Sequence, residues 1–467
     1  MSLGLLNRLS GRVCGAGVLL IVMGLVSVSP AAGPLRLPPV ERVQLKNGLV
    51  VLIQASHRLP LVDFRLVVRA GSVDDPQGKE GLANLTADLL TQGAGTRDAQ
   101  QFAEAVAFLG GELSASASRE QVVVSCEVLR KDFVAGLELF RDCVVKPTFA
   151  PEEFRRKQGE TLGAIESQKD DPSAVADLEL PPLLMGSHPL AHPVIGLTKS
   201  VSGLTCDDVV SFYRAHVTPD QAILAVVGDV DRDAVIPALE AAFSDWKPAK
   251  QAAAATYAAL EDSSRKVLVV NRPDLTQSQI RFAGPGVSRN HPDYYAITVA
   301  NTILGAGFTS RLMNEIRVVR GLTYGISSRF SMYRNAGTFT VNTFTRNESL
   351  RECIDAVTAV IRQLVDEGPT DQELEKAKRY LTGQFPLRLQ SPDDLAERIA
   401  DIEFYGLDRD FLANYCDRID AVTMADVRRV LRERCQVDKF RILVVSQSSQ
   451  VMKSLEGLGP VESKELE

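Results

Sequence analysis

The sequence predicts an α+β protein of two homologous domains, each a mostly antiparallel sheet with helices packed on one face. Three observations carry this prediction. The chain has 467 residues, more than one hydrophobic core commonly serves, so two domains are expected. It also repeats itself: Thr205 and Thr423 lie 218 residues apart, each placed to cap a helix and each followed by an apolar, β-rich strand. Within each half, short strands and amphipathic helices alternate, an order that favours helices layered on a sheet.

The halves open alike, with strands read at 49–54 and 62–68 in the first and at 267–270 and 278–283 in the second. In the first half a helix follows at 101–109, stopped by Gly110 and Gly111, then a strand at 121–128 and a helix at 133–145. The second half mirrors this with a helix at 294–304, a strand at 338–345 and a helix at 350–366. The Ala-rich stretch 248–263 has no strong pattern and reads as a linker. The expected domains are therefore 33–247 and 264–467.

Residues 1–32 read as a signal peptide. Arg8 and Arg12 are their only charged side chains, an apolar run follows from Val13 to Val28, and Ser29-Pro-Ala-Ala32 supplies small residues for cleavage. The alternative is an uncleaved anchor, although sixteen residues are short for a span, which needs about 20. The expectation is a secreted or periplasmic protein with no membrane span once the signal is cut. The net charge of −7, from 52 basic and 59 acidic residues, offers no basic field for nucleic acid. Six cysteines remain beyond the signal, widely spaced and without a C-x-x-C, so neither a disulfide framework nor a thiolate zinc site is expected.

Two constellations carry the functional question. On the helix 81–93, Leu82, Leu85 and Leu89 share one face, and Asn84 and Asp88 share another. Histidines at that spacing would hold a metal, but Asn84 is a poor zinc ligand, and Ala87, where a base would be needed, cannot accept a proton. The five histidines form neither H-E-x-x-H nor its inverse; His188 and His192 fall in a proline-broken stretch, 186–196, read as a surface loop. The second constellation is 304–324. Ser310 would start a helix carrying Arg311, Arg317 and Arg320, Gly321 would end it, and Tyr324 would stand on the next strand. Taken alone, these residues favour a basic helix face beside a core-edge tyrosine over an oxyanion-binding pair.

Together, these segments resemble the pitrilysin/insulinase family of zinc peptidases, which includes the mitochondrial processing peptidase. The resemblance runs from Leu45 to Val445. Its main supports are 69–83, which is similar to the approach to the family's zinc helix, the loop 188–196, the strand region 219–230, and the pair of segments 304–312 and 317–324. It implies a clamshell half. It also implies zinc bound through an inverted H-x-x-E-H and a distant glutamate, yet this sequence has Asn84, Ala87 and Asp88 at the motif positions. The glutamate would fall near Gly163 or Ala164, and Glu166 is out of phase. The family's second element, an Arg and a Tyr seven apart, is intact as Arg317 and Tyr324, which reverses the reading of those two residues.

The resemblance therefore implies a zinc-less subunit with no cofactor of its own. A homologous partner subunit would bring zinc, and Arg317 and Tyr324 would act on an unfolded peptide substrate. The alternative is an inactive homologue that serves as a peptide-binding or assembly scaffold.

Overall fold

The computed structural model describes residues 39–248, 256–260 and 264–466. The signal-peptide reading lies outside the described residues, as does most of the linker. Among the described residues, twelve strands form two six-stranded sheets. The first contains β1 Glu41–Gln44, β2 Val50–Ala55, β3 Leu61–Val68, β4 Glu112–Ala117, β5 Val122–Leu129 and β6 Ala222–Gly228. The second contains β7 Val267–Asn271, β8 Gln277–Pro285, β9 Ile326–Met332, β10 Gly337–Arg346, β11 Arg441–Ser446 and β12 Val461–Glu465.

The strand orders, β1-β2-β6-β3-β5-β4 and β12-β7-β11-β8-β10-β9, state the duplication directly. Five strands of the first sheet recur in the second with every number raised by five. Only the outermost strand differs: β1 is an antiparallel neighbour of β2, whereas β12 runs parallel to β7. One further parallel pairing occurs in each sheet, β2 with β6 and β7 with β11, and the other ladders are antiparallel.

The duplicated caps are present in detail. Thr205 accepts from the backbone N–H of Asp208, and Thr423 accepts from that of Asp426. In both, the Asp side chain returns a bond to the threonine N–H, so two of the orphan donors at each helix start are satisfied.

The expected helices lie on one face of each sheet. In the first half Phe133–Val145 packs Phe140 against Phe64 of β3, with ring centroids 5.5 Å apart. The opposite face carries a helix that the sequence reading did not include, and the other half donates it. Helix Pro172–Met185 lays Val175, Ala176, Leu180 and Leu183 on Val270, Ala283, Leu443 and Val445 of the second sheet. Helix Pro392–Tyr405 lies against β3 and β6 of the first. Matching arginines clasp the exchanged helices: Arg65 of β3 pairs with Asp393 at 2.9 Å, and Arg281 of β8 pairs with Asp177 at 2.9 Å. The reason is visible in β6, which is buried at every position and so needs cover on both faces.

The stretch 186–196 is irregular, as read, but it is not a surface loop. Leu190 is fully buried with Val73, Tyr257 and Ala336, and Arg119 donates to the carbonyls of Leu190 and His192. Those bonds replace the backbone partners that a helix would have supplied. His188 meets the Ala258 carbonyl and His192 the Pro193 carbonyl, so the two histidines have separate partners. The six described cysteines are all free thiols. Among the described residues no helix is long and apolar enough to cross a membrane.

Asp63 sits inside β3 on the face beneath the exchanged helix, with one carboxyl oxygen lacking a partner. Burial, reinforced by Asp393 and Glu127, pushes its pKa from 3.8 up to about 8. A carboxyl whose folded pKa is raised stabilises fully below its unfolded pKa, and the contribution is lost as pH rises towards the folded value. Urea unfolding should therefore show stability falling between about pH 4 and 8. Asp63→Asn should remove most of that slope; a variant with an unchanged slope would refute the assignment.

Candidate functional site

The helix of the first constellation spans Leu82–Leu90. Its start is fixed from a distance: both oxygens of Asp75 accept backbone bonds, from Gly81 and from Ala83, each at 2.8 Å. Gly81 has φ +99°, and the backbone of the 186–196 loop packs directly on it. A β-carbon at Gly196 would sit 2.3 Å from the Glu80 carbonyl oxygen, so only glycine fits the approach. Leu82, Leu85, Ala87 and Leu89 are buried. Asn84 and Asp88 lie on the outer face, as read, and Asn84 donates its amide to Asp88 at 3.3 Å.

This donor set does not fit zinc. Asn84 offers a neutral amide already turned to Asp88, Ala87 offers nothing, and no histidine joins them. Burial raises the pKa of Asp88, with Lys157 opposing and Glu160 adding to the shift. Those two residues are therefore what helix Pro151–Gln168 presents to it. Glu166 instead pairs with Lys169 at 2.9 Å at the exposed end of that helix. Among the described residues no group of three or more His, Cys, Asp or Glu side chains gathers as a metal site.

The second constellation is assembled differently from the first. Helix Tyr294–Asn301 runs into a π-helical turn at Thr302–Ala306, and a second π turn spans Met313–Val319. Such widened turns concentrate at functional sites. Ser310 does start the second segment, its side chain accepting from the Met313 N–H. Gly321, at φ +63°, follows its end. Tyr324 is not on the strand, which starts at Ile326. It stands in the preceding loop because hydroxyls of β10 hold that loop: Thr345 donates to the Leu322 carbonyl, and Thr343 donates to that of Gly325.

The three arginines of this segment have different partners. Arg311 donates two hydrogen bonds to the carboxylate of Glu373, at 2.6 and 2.8 Å. Arg320 pairs with Glu315 at 2.8 Å, five residues back, as the π turn permits. Arg317 has no carboxylate and no side-chain hydrogen bond among the described residues. Its guanidinium lies over two rings, 4.7 Å from the centroid of Tyr324 and 5.0 Å from that of Phe308. Both rings are largely in solvent, 76% and 70% exposed, with Val318 and Val319 exposed beside them.

The structure thus brings Arg317 and Tyr324 together and adds Phe308. Sequence reasoning missed Phe308, which lies inside the Gly-Ala-Gly-Phe run. An aromatic flanked by small and hydroxyl residues in a turn was the available signal. Chemically, the cluster holds a delocalised cation on aromatic faces while its N–H donors stay uncommitted, beside a phenol O–H.

Two family models and several relatives match this chain. Residues 50–197 match the family described as insulinase (peptidase family M16), and 203–381 match the M16 peptidase "inactive domain". A crystal structure of a peptidase M16 inactive domain from Pseudomonas fluorescens has 30% identity and a TM-score of 0.81, covering 87% of this chain and 98% of that one. An uncharacterized zinc protease of Streptomyces coelicolor is 28% identical over 84% of this chain and 87% of its own length. A non-peptidase homolog of Helicobacter pylori is 23% identical over 86% and 92%.

An exposed cation–π contact contributes about 0.5–1 kcal/mol. Phe308→Ala should therefore change unfolding stability by no more than about 1 kcal/mol, while NMR of the Arg317 Nε–H group shows increased motion. A guanidinium as ordered in the variant as in the wild type would count against Phe308 as its support.

Proposed function

Because the chain belongs to the insulinase (M16) peptidase family as a homologue of the inactive kind, we propose that it is the zinc-less subunit of a two-chain peptidase. In this reading a homologous partner carries the metal and the water it activates. This chain contributes Arg317 and Tyr324 to an unfolded peptide held between the subunits. The single observation that carries the proposal is the uncommitted Arg317 guanidinium, stacked on exposed rings where its neighbours Arg311 and Arg320 are neutralised by carboxylates.

The chemistry follows from the side chains. Hydrolysis of a peptide places negative charge on the scissile carbonyl oxygen. A phenol O–H donates to that oxygen, and a fixed guanidinium stabilises the charge as it grows. Neither group needs to change its protonation state. Exposure of Phe308, Val318, Val319 and Tyr324 supports an encounter with a second molecule, since solvent-facing aromatic and aliphatic groups clustered around an arginine are what interfaces bury. Export through the N-terminal 32 residues would put the pair in the periplasm or outside the cell. The second reading, peptide capture without hydrolysis, is favoured by the name of the Helicobacter relative, and the same assay separates the two.

That assay reconstitutes the chain with a zinc-bearing homologue from the same organism. Arg317→Ala or Tyr324→Phe should leave assembly intact and lower peptide turnover by about 10²–10³, the usual loss for one oxyanion donor. Equal turnover by wild type and variants would reject the catalytic role, and tight peptide binding with no turnover would establish the scaffold.

A further inference from the structure

A second feature lies where the halves meet. An open cavity of about 690 Å³ is bounded by the turn between β4 and β5, the loop after β8, helix Tyr294–Asn301, strand β9 and the turn Phe385–Leu389. Its size is that of a ligand site. Four arginines reach it from four different elements: Arg119, Arg289, Arg329 and Arg388. None has a carboxylate within ion-pairing distance among the described residues.

Their existing contacts leave donors over. Arg119 donates to two carbonyls. Arg388 has only a long bond to Gln384. Arg289 is stacked on Tyr294 at 4.3 Å and Phe411 at 4.9 Å, with one buried guanidinium nitrogen lacking any hydrogen-bond partner. Arg329 is exposed and makes no side-chain hydrogen bond. The one carboxylate in the lining, Glu120, is committed to Arg334 and to the Tyr257 hydroxyl. Asp401, near Arg289 but outside the lining, accepts from Gln121, and burial raises its pKa.

A chain with net charge −7 has therefore collected four unneutralised cations around one cleft. Like charges gathered without counterions repel, and an oxyanion ligand relieves the repulsion. The space is many times the roughly 30 Å³ of a water molecule, and the charges are spread over separate walls. That distribution suits several carboxylates strung along a chain better than one compact anion. The tyrosine rings of Tyr294 and Tyr405 supply apolar wall between the charges. We propose that this cleft is a binding site for acidic peptide segments, with Arg119, Arg289, Arg329 and Arg388 receiving Asp and Glu side chains. The site is distinct from Arg317 and Tyr324 and does not depend on their role.

The test is fluorescence anisotropy with the full chain and a labelled, alternating Glu–Gly peptide, against a Lys–Gly peptide of equal length. The acidic peptide should bind at least about tenfold more tightly, and added salt should weaken it. Arg329→Glu combined with Arg388→Glu alters two exposed side chains and should leave the melting temperature unchanged while lowering affinity about tenfold or more. Equal binding of the two peptides, or wild-type affinity in the double variant, would overturn the proposal. So would binding of inorganic tripolyphosphate in place of the peptide.

Discussion

The functional reading depends on Arg317 being held by rings and not by a carboxylate. A guanidinium on a surface turn ordinarily finds an acidic neighbour, as Arg311 and Arg320 do within the same segment. Stacking on Phe308 and Tyr324 fixes the cation without spending its N–H donors. The surrounding structure serves that arrangement. The π turns bring Phe308 and Arg317 to one place, and the threonines of β10 set the loop that presents Tyr324.

The two related halves place their polar groups differently. In the first half, Asp75, Gly81 and Gly196 fix the start of helix Leu82–Leu90 closely, yet the residues the helix presents are an amide and a half-buried acid bonded to each other. The scaffold of a site is retained there without a donor set suited to zinc. The second half keeps an uncommitted cation and phenol in solvent. Reciprocal exchange of helices Pro172–Met185 and Pro392–Tyr405 ties the halves together, each covering the other's sheet. The cleft lined by four unpaired arginines forms where the two halves meet.

Much of the fold was legible because it rests on local chemistry. Thr205 and Thr423 announced their helices through side-chain capping, and the apolar strands were found to within a residue or two. The helix at Phe133–Val145 matched its reading at both ends. What was not legible rests on distant partners. The exchange of helices depends on which sheet face is left bare, and no local pattern states that. The same holds for 186–196, whose burial comes from Arg119, some seventy positions earlier. Tyr324 was placed one element too late because Thr343 and Thr345 substitute hydroxyl bonds for a strand ladder. Asn84 and Asp88 were placed as read, since helical spacing alone decides which face they share, and Phe308 escaped because cation–π stacking leaves no spacing signature.

The most direct measurement of the central claim is a titration. A zinc-bearing homologue from the same organism is held at fixed concentration, and peptide cleavage is followed as this chain is added. The account predicts a rate that climbs and then levels off at one chain per partner, with no cleavage by this chain alone. A rate that stays flat through the titration, or chelator-sensitive cleavage by this chain with no partner present, would contradict it.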